Sequence, residues 1–175
     1  MKMTDINPMP EYFDRYINLC EDVDLDQEFA NSLRQLNSLD VNLLSKLNGR
    51  KYLPGKWTVN DIIQHITDIE RLLCAGVLRF ARGEDTYVIS FNEEEIAKNA
   101  NADKKEIIKL IDELITVRKS TISLYKGFDY TDYFKAGINW KYKISVLAMG
   151  FNIIGHQIHH LNVIERKYYP LLEKK

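Results

Sequence analysis

Apolar residues recur every three or four positions along most of this chain, and nowhere do Val, Ile and Thr alternate with polar residues for long enough to specify a sheet. That periodicity restricts the chain to packed helices. The stripe Phe29, Leu33, Leu36, Leu43, Leu44 and Leu47 predicts one long helix over 25–47, closed by Asn48-Gly49, both tolerant of a left-handed C-terminal residue. A short helix over 11–19 precedes it. Thr58 followed three residues later by Asp61 forms a capping box that opens a second helix to 82, where Gly83 stops it. Asp103 and Glu106 have the same spacing and open a third helix to 126. The fourth runs over 145–168, before Pro170. The polar stretch 83–102, with a short helix near 92–98, and the irregular segment 127–144 join them.

Four long helices without repeats or linkers in 175 residues predict one all-α domain spanning 1–175. The expected architecture is a four-helix up-and-down bundle with a short N-terminal helix. A net charge of −1 argues against a nucleic-acid or anionic-membrane surface, and no apolar run reaches the roughly 18 residues of a membrane span. The start carries no apolar signal region. Cys20 and Cys74 form no CxxC pair and no disulfide framework, which predicts a cytoplasmic protein. The fourth helix is apolar almost all round, from Val146 and Leu147 to Leu161 and Ile164. Such a helix is covered either by a second copy, predicting a homodimer, or by the N-terminal helix of the same chain.

The four histidines carry the chemical information. His156 and His160 lie four apart, about 40° apart in projection at about 100° per residue, a spacing that lets two imidazoles reach one cation. A lone His in so apolar a helix would read as a hydrogen-bonded core residue; burying several is costly unless they are bonded or coordinated. His65 sits at the margin of the second helix's apolar stripe and can point between helices. Cys74 falls on the opposite side of that helix from His65. Asp68, three residues past His65, and His159 are candidates to orient ligating imidazoles. Position 157 is Gln157, so no Glu stands where an HExxH metalloprotease holds its base. Arg79 and Arg82 read as ion-paired bundle residues, and Glu93-Glu94-Glu95 as a solvated helix start.

The stretch PGKWTVNDIIQHITDIERLLCAGVLRFARGED, followed by GFNIIGHQIHHLNVIE, resembles the DinB/YfiT-like family of metalloenzymes, over essentially 12–169. The resemblance implies a four-helix bundle and a divalent metal held by three histidines. By position these are His65, His156 and His160. It also implies transfer of a low-molecular-weight thiol, such as bacillithiol, mycothiol or glutathione, to an electrophile. Metal-dependent hydrolysis and non-catalytic metal binding are the alternatives. Three imidazoles suit Zn²⁺ or Ni²⁺ and leave coordination positions open. If the second and fourth helices run the same way, the loops 49–57 and 127–144 lie nearest the histidines. Trp57, Tyr130, Tyr133, Trp140 and Tyr142 then become candidates for the pocket rim, and 83–102 falls at the far end.

Overall fold

A computed structural model describes residues 1–173. The helices are α1 (Asp14–Ile17), α2 (Leu25–Asn37), α3 (Val41–Ser45), α4 (Val59–Ala81), α5 (Glu93–Ala100), α6 (Ile107–Lys126) and α7 (Val146–Val163). Three short strands join them: β1 (Val88–Ile89), β2 (Ala136–Asn139) and β3 (Tyr142–Ser145). The fold is therefore not purely α. β2 and β3 form a hairpin that pairs Asn139 with Tyr142, and β1 adds in parallel to β2, pairing Val88 with Ile138.

Several boundaries depart from the periodicity for local reasons. The first long helix breaks into α2 and α3, because the Asp40 carboxylate caps a fresh start by accepting from the Leu43 amide at 2.9 Å. The Thr58–Asp61 box forms as the sequence predicts. Asp103 caps nothing; it accepts the Thr58 hydroxyl at 2.6 Å, and α6 starts four residues later. Beyond α7 the chain widens into one π turn, Ile164–Tyr168, before Pro170.

The bundle is a ring of α2, α6, α4 and α7, and its connectivity is not up-down-up-down. α4 and α6 run the same way. Asn60 near the start of α4 donates to the Lys105 carbonyl at 2.9 Å, Arg71 meets Glu113 at 2.6 Å, and Cys74 lies 3.2 Å from Thr121. α7 opposes α4: the Tyr168 hydroxyl beyond its end donates to the Trp57 carbonyl before α4. At the other end, Lys135 bridges the start of α7 to the Ala81 carbonyl. α2 runs with α7, since Leu25 packs on Gly150 and Gln157 donates to Gln35 at 2.9 Å. The order is thus up-down-down-up. A parallel α4–α6 pair needs a return path of about 35 Å, the length of a 23-residue helix. The segment between them, carrying β1 and α5, supplies it along the outside of the bundle.

Every residue of α7 from Val146 to Gln157 is buried. The chain itself provides much of this cover. A Cβ on Gly155 would stand 2.0 Å from the Tyr16 carbonyl, so only glycine lets α1 lie on this helix. The apolar circumference that pointed to a dimer is in this way largely buried within one copy. Gly76 does the same for the crossover: a Cβ there would meet Ile89 Cδ1 at 2.2 Å. No helix among the described residues is long and apolar enough to cross a membrane.

Candidate metal centre

Antiparallel packing of α4 and α7 brings His65, early in α4, to His156 and His160, late in α7. Their Nε2 atoms converge: His65 to His156 is 3.2 Å, and His160 to His156 is 3.1 Å. One nitrogen from each lies within 4.8 Å of the others. Burial holds all three imidazoles neutral, pushing His65 down to about 4, His160 down to about 2 and His156 well below its ordinary value. Neutral imidazole is the ligating form. The donor set, three nitrogens without a carboxylate or thiolate, fits a borderline divalent ion, and three ligands about 2.0–2.2 Å from one centre stand near these separations.

The neighbours of the cluster differ from the sequence expectation in part. Asp68 does not reach His65; it accepts from Gln64 Nε2 at 2.9 Å and faces Arg71 at 3.7 Å. No protein group bonds His65 Nδ1. The exposed His159 packs edge-on against Tyr16 and His160 rather than bonding a ligand ring. Trp57 lies 4.6 Å from the His65 ring and 6.4 Å from that of His160, closing one side of the cluster.

On the other side, next to His156, a cavity of about 210 Å³ opens. Ile69 and Leu73 of α4 and Asn152 of α7 line it. Tyr12, Phe13 and Tyr16 form one wall, Asn139 and Trp140 another, and Ile89, Ser90, Phe91 and Glu93 a third. The segment 83–102 is therefore part of the pocket and not remote from it, because the down-down pair carries it back past the histidines. Of the other aromatic rim candidates, Tyr142 stacks behind Tyr12 at 5.9 Å, Tyr133 donates to the Tyr125 carbonyl at 3.1 Å, and Tyr130 is 69% exposed against Phe134. None of these three lines the cavity. Tyr12 and Trp140 have φ of 68° and 56°, a left-handed backbone that bulky residues rarely adopt, and their rings meet at 5.1 Å.

Asn152 and Tyr16 escaped the sequence reading. Asn152, His156 and His160 repeat at four-residue intervals along a largely apolar helix, and that signal was available. Tyr16 had no signal of its own, since its place depends on Gly155. Arg79 pairs with Glu84 and Arg82 approaches Asp132 at 3.6 Å, so both serve the surface of the bundle.

A family model described as the DinB superfamily matches residues 21–164. The chain belongs to the DinB superfamily. Among solved structures of like fold is YfiT from Bacillus subtilis, described as a probable metal-dependent hydrolase with an unusual four-helix bundle topology. It matches with a TM-score of 0.68 at 15% identity, over 92% of this chain and 88% of that one. The mycothiol-dependent maleylpyruvate isomerase matches with a TM-score of 0.59 at 12% identity, over 92% of this chain. This DinB chain covers 62% of the isomerase's length. No curated protein matches the sequence.

Proposed function

We propose that this protein is a divalent-metal-dependent enzyme whose ion is held by His65, His156 and His160, and that it transfers a low-molecular-weight thiol to an organic electrophile. The observation that carries the reading is the convergence of three neutral imidazoles, two buried and one half-buried, beside a cavity that only His156 among them lines. A divalent ion in such a donor set acts as a Lewis acid and lowers the pKa of a thiol or of water. Zn²⁺ and Ni²⁺ both suit the ligands.

The chain's own groups favour a thiol from outside. Cys20 and Cys74 are free, but burial pushes both thiols up to about 12, so neither is a nucleophile at neutral pH. The Tyr16 ring lies 5.3 Å from that of His156, its hydroxyl accepts from the Arg15 guanidinium at 3.1 Å, and burial raises its pKa, so it stays a phenol that lines the cavity. The aromatic wall excludes water and orients a flat electrophile. Two free cysteines, Cys20 buried and Cys74 half-buried, suit a reducing, cytoplasmic location. Hydrolysis is the second reading, favoured by the description of YfiT. Against it, Glu93 is the one carboxylate lining the cavity, and the convergent donor set itself contains no carboxylate.

The test begins with elemental analysis of protein purified without chelator, which should give one divalent ion per chain. His160→Ala should lower metal affinity by more than about 100-fold, beyond the effect of losing an orienting partner. Assays then pair glutathione, bacillithiol or mycothiol with 1-chloro-2,4-dinitrobenzene or monochlorobimane, beside a panel of esters and amides. Turnover that needs both the metal and the thiol supports transfer. Thiol-independent ester or amide cleavage replaces it with hydrolysis, and full metal occupancy in His160→Ala removes the ligand assignment.

A further inference from the structure

We propose that Asn152 is the anchor of a binding subsite for a planar, amide-bearing ring in the cavity that His156 also lines, with an anchoring contact that none of the three imidazoles makes. Asn152 is 3% exposed, lines the cavity, and its Oδ1 has no hydrogen-bond partner in the protein. A buried, unpaired carboxamide is disfavoured in a core that exists only to pack. Its helical neighbours Phe151 and Ile153 are fully apolar and buried, so an aliphatic residue at 152 would suit the helix better. Asn60 Oδ1 and Gln157 Oε1 are buried and unpartnered as well, but of the three carboxamides only Asn152 lines this cavity, where an entering group can bond it.

The shape and chemistry of the walls define the occupant. A carboxamide offers one acceptor and two donors, so its best complement is another amide edge, which returns a donor to Oδ1 and an acceptor to Nδ2. The rings of Tyr12 and Trp140 and the side chains of Ile69 and Leu73 offer apolar surfaces to a flat body. A volume of about 210 Å³ falls below the roughly 300–1,000 Å³ of drug-sized sites, which limits the body to a single ring with its substituent. Arg15, stacked 3.7 Å over the Tyr12 ring, and Glu93 both line the cavity and bear opposite charges, so together they favour no net charge. The occupant is therefore a neutral aromatic or heteroaromatic amide rather than a carboxylate.

This inference deepens the proposed function, placing the organic substrate, yet its test does not need the metal. The probes are benzamide, benzoate and toluene, titrated to millimolar concentration into the full-length protein and followed by the methyl resonances of Ile69, Leu73 and Ile89. Each titration is run on protein as purified and after chelation. Benzamide should bind saturably and at least about tenfold more tightly than benzoate or toluene, with or without metal. Asn152→Leu should weaken benzamide at least about tenfold, leave toluene within about threefold, and raise the thermal unfolding midpoint by a few degrees. A merely structural Asn152 would move all three ligands together and lower the midpoint. If Asn152→Leu does not fold, Asn152→Ser carries the same test of relative affinity. Absence of saturable benzamide binding at 10 mM, or equal benzamide affinity in the variant, overturns the proposal. Failure of the metal assignment alone leaves benzamide binding intact, so the two readings fail separately.

Discussion

Two polar layers cross the interior of this bundle, and they are built on opposite plans. In the first, Arg118 of α6 is fully buried and forks onto Glu70 of α4 through two bonds of 2.9 Å. It also donates to the Ser32 hydroxyl, while Thr121 donates to Glu70 at 2.6 Å and sits 3.2 Å from the Cys74 thiol. In the second layer, His65, His156 and His160 point at a common centre, and buried polar atoms at His65 Nδ1 and Asn152 Oδ1 have no protein partner. A closed network fixes which helices are neighbours, whereas an open one is kept for a ligand. Asn60 Oδ1 and Gln157 Oε1 are also buried without a partner, so an open atom marks a candidate site only where it joins a convergent donor set, as at His65, or lines a cavity, as at Asn152.

The closed layer should give the largest stability effect. Arg118→Met leaves Glu70 buried without its partner, and we expect a loss of about 3–5 kcal/mol in urea unfolding. Adding Glu70→Leu removes the stranded charge and should restore most of that loss, as a double-mutant cycle would show. Were the single and double variants equally unstable, the pair would be acting through packing and the contrast between the layers would fail.

The two layers were not equally legible in the sequence. Histidines at positions 156 and 160 declare themselves by spacing on an apolar helix, and the Thr58–Asp61 box fixes where the helix bearing His65 begins. Glu70 and Arg118 look like ordinary solvated charges, because their burial depends on α4 and α6 running side by side in the same direction. Local periodicity carries no information on direction; the long 83–102 segment was the only hint, and it fits a crossover as well as a loop. The hairpin was hidden for a different reason. Its two-residue turn is Trp140-Lys141, with the left-handed residue a tryptophan where glycine or asparagine is usual. Its conformation is set by the wall it builds with Tyr12, a tertiary contact absent from any local window.

Acid should act on the open layer of chelated protein. The folded pKa of His65 is depressed to about 4 from 6.5, so the unfolded chain takes the proton first as pH falls. Stability from this group is full above pH 6.5, declines from there toward pH 4, and is flat below. Its slope is at most about 1.4 kcal/mol per pH unit. Urea unfolding at a series of pH values should show this acid-labile segment, and His65→Gln should make it shallower, the remaining slope coming from His156 and His160. A profile unchanged by that variant would mean that the imidazole is not held neutral by burial.

The smallest expected effect sharpens the boundary of the open layer. Asp68 stands three residues from His65 and would be the natural carboxylate to orient its ring, yet its oxygens face Gln64 and Arg71. The Arg71 side chain is half exposed, and its closer partner is Glu113 at 2.6 Å. Such pairs contribute about 0–1 kcal/mol. Asp68→Ala should therefore cost no more than about 1 kcal/mol and leave metal affinity within about twofold, measured by competition with a chromophoric chelator. An orienting carboxylate, by contrast, would lower affinity by about 10–100-fold on removal. A loss of that size would draw Asp68 into the site and require its side chain to turn from Gln64 to His65 Nδ1 when the metal binds. Retention of affinity would leave the centre as three neutral imidazoles with no carboxylate behind His65, so that the ion keeps its full positive charge toward whatever occupies the cavity.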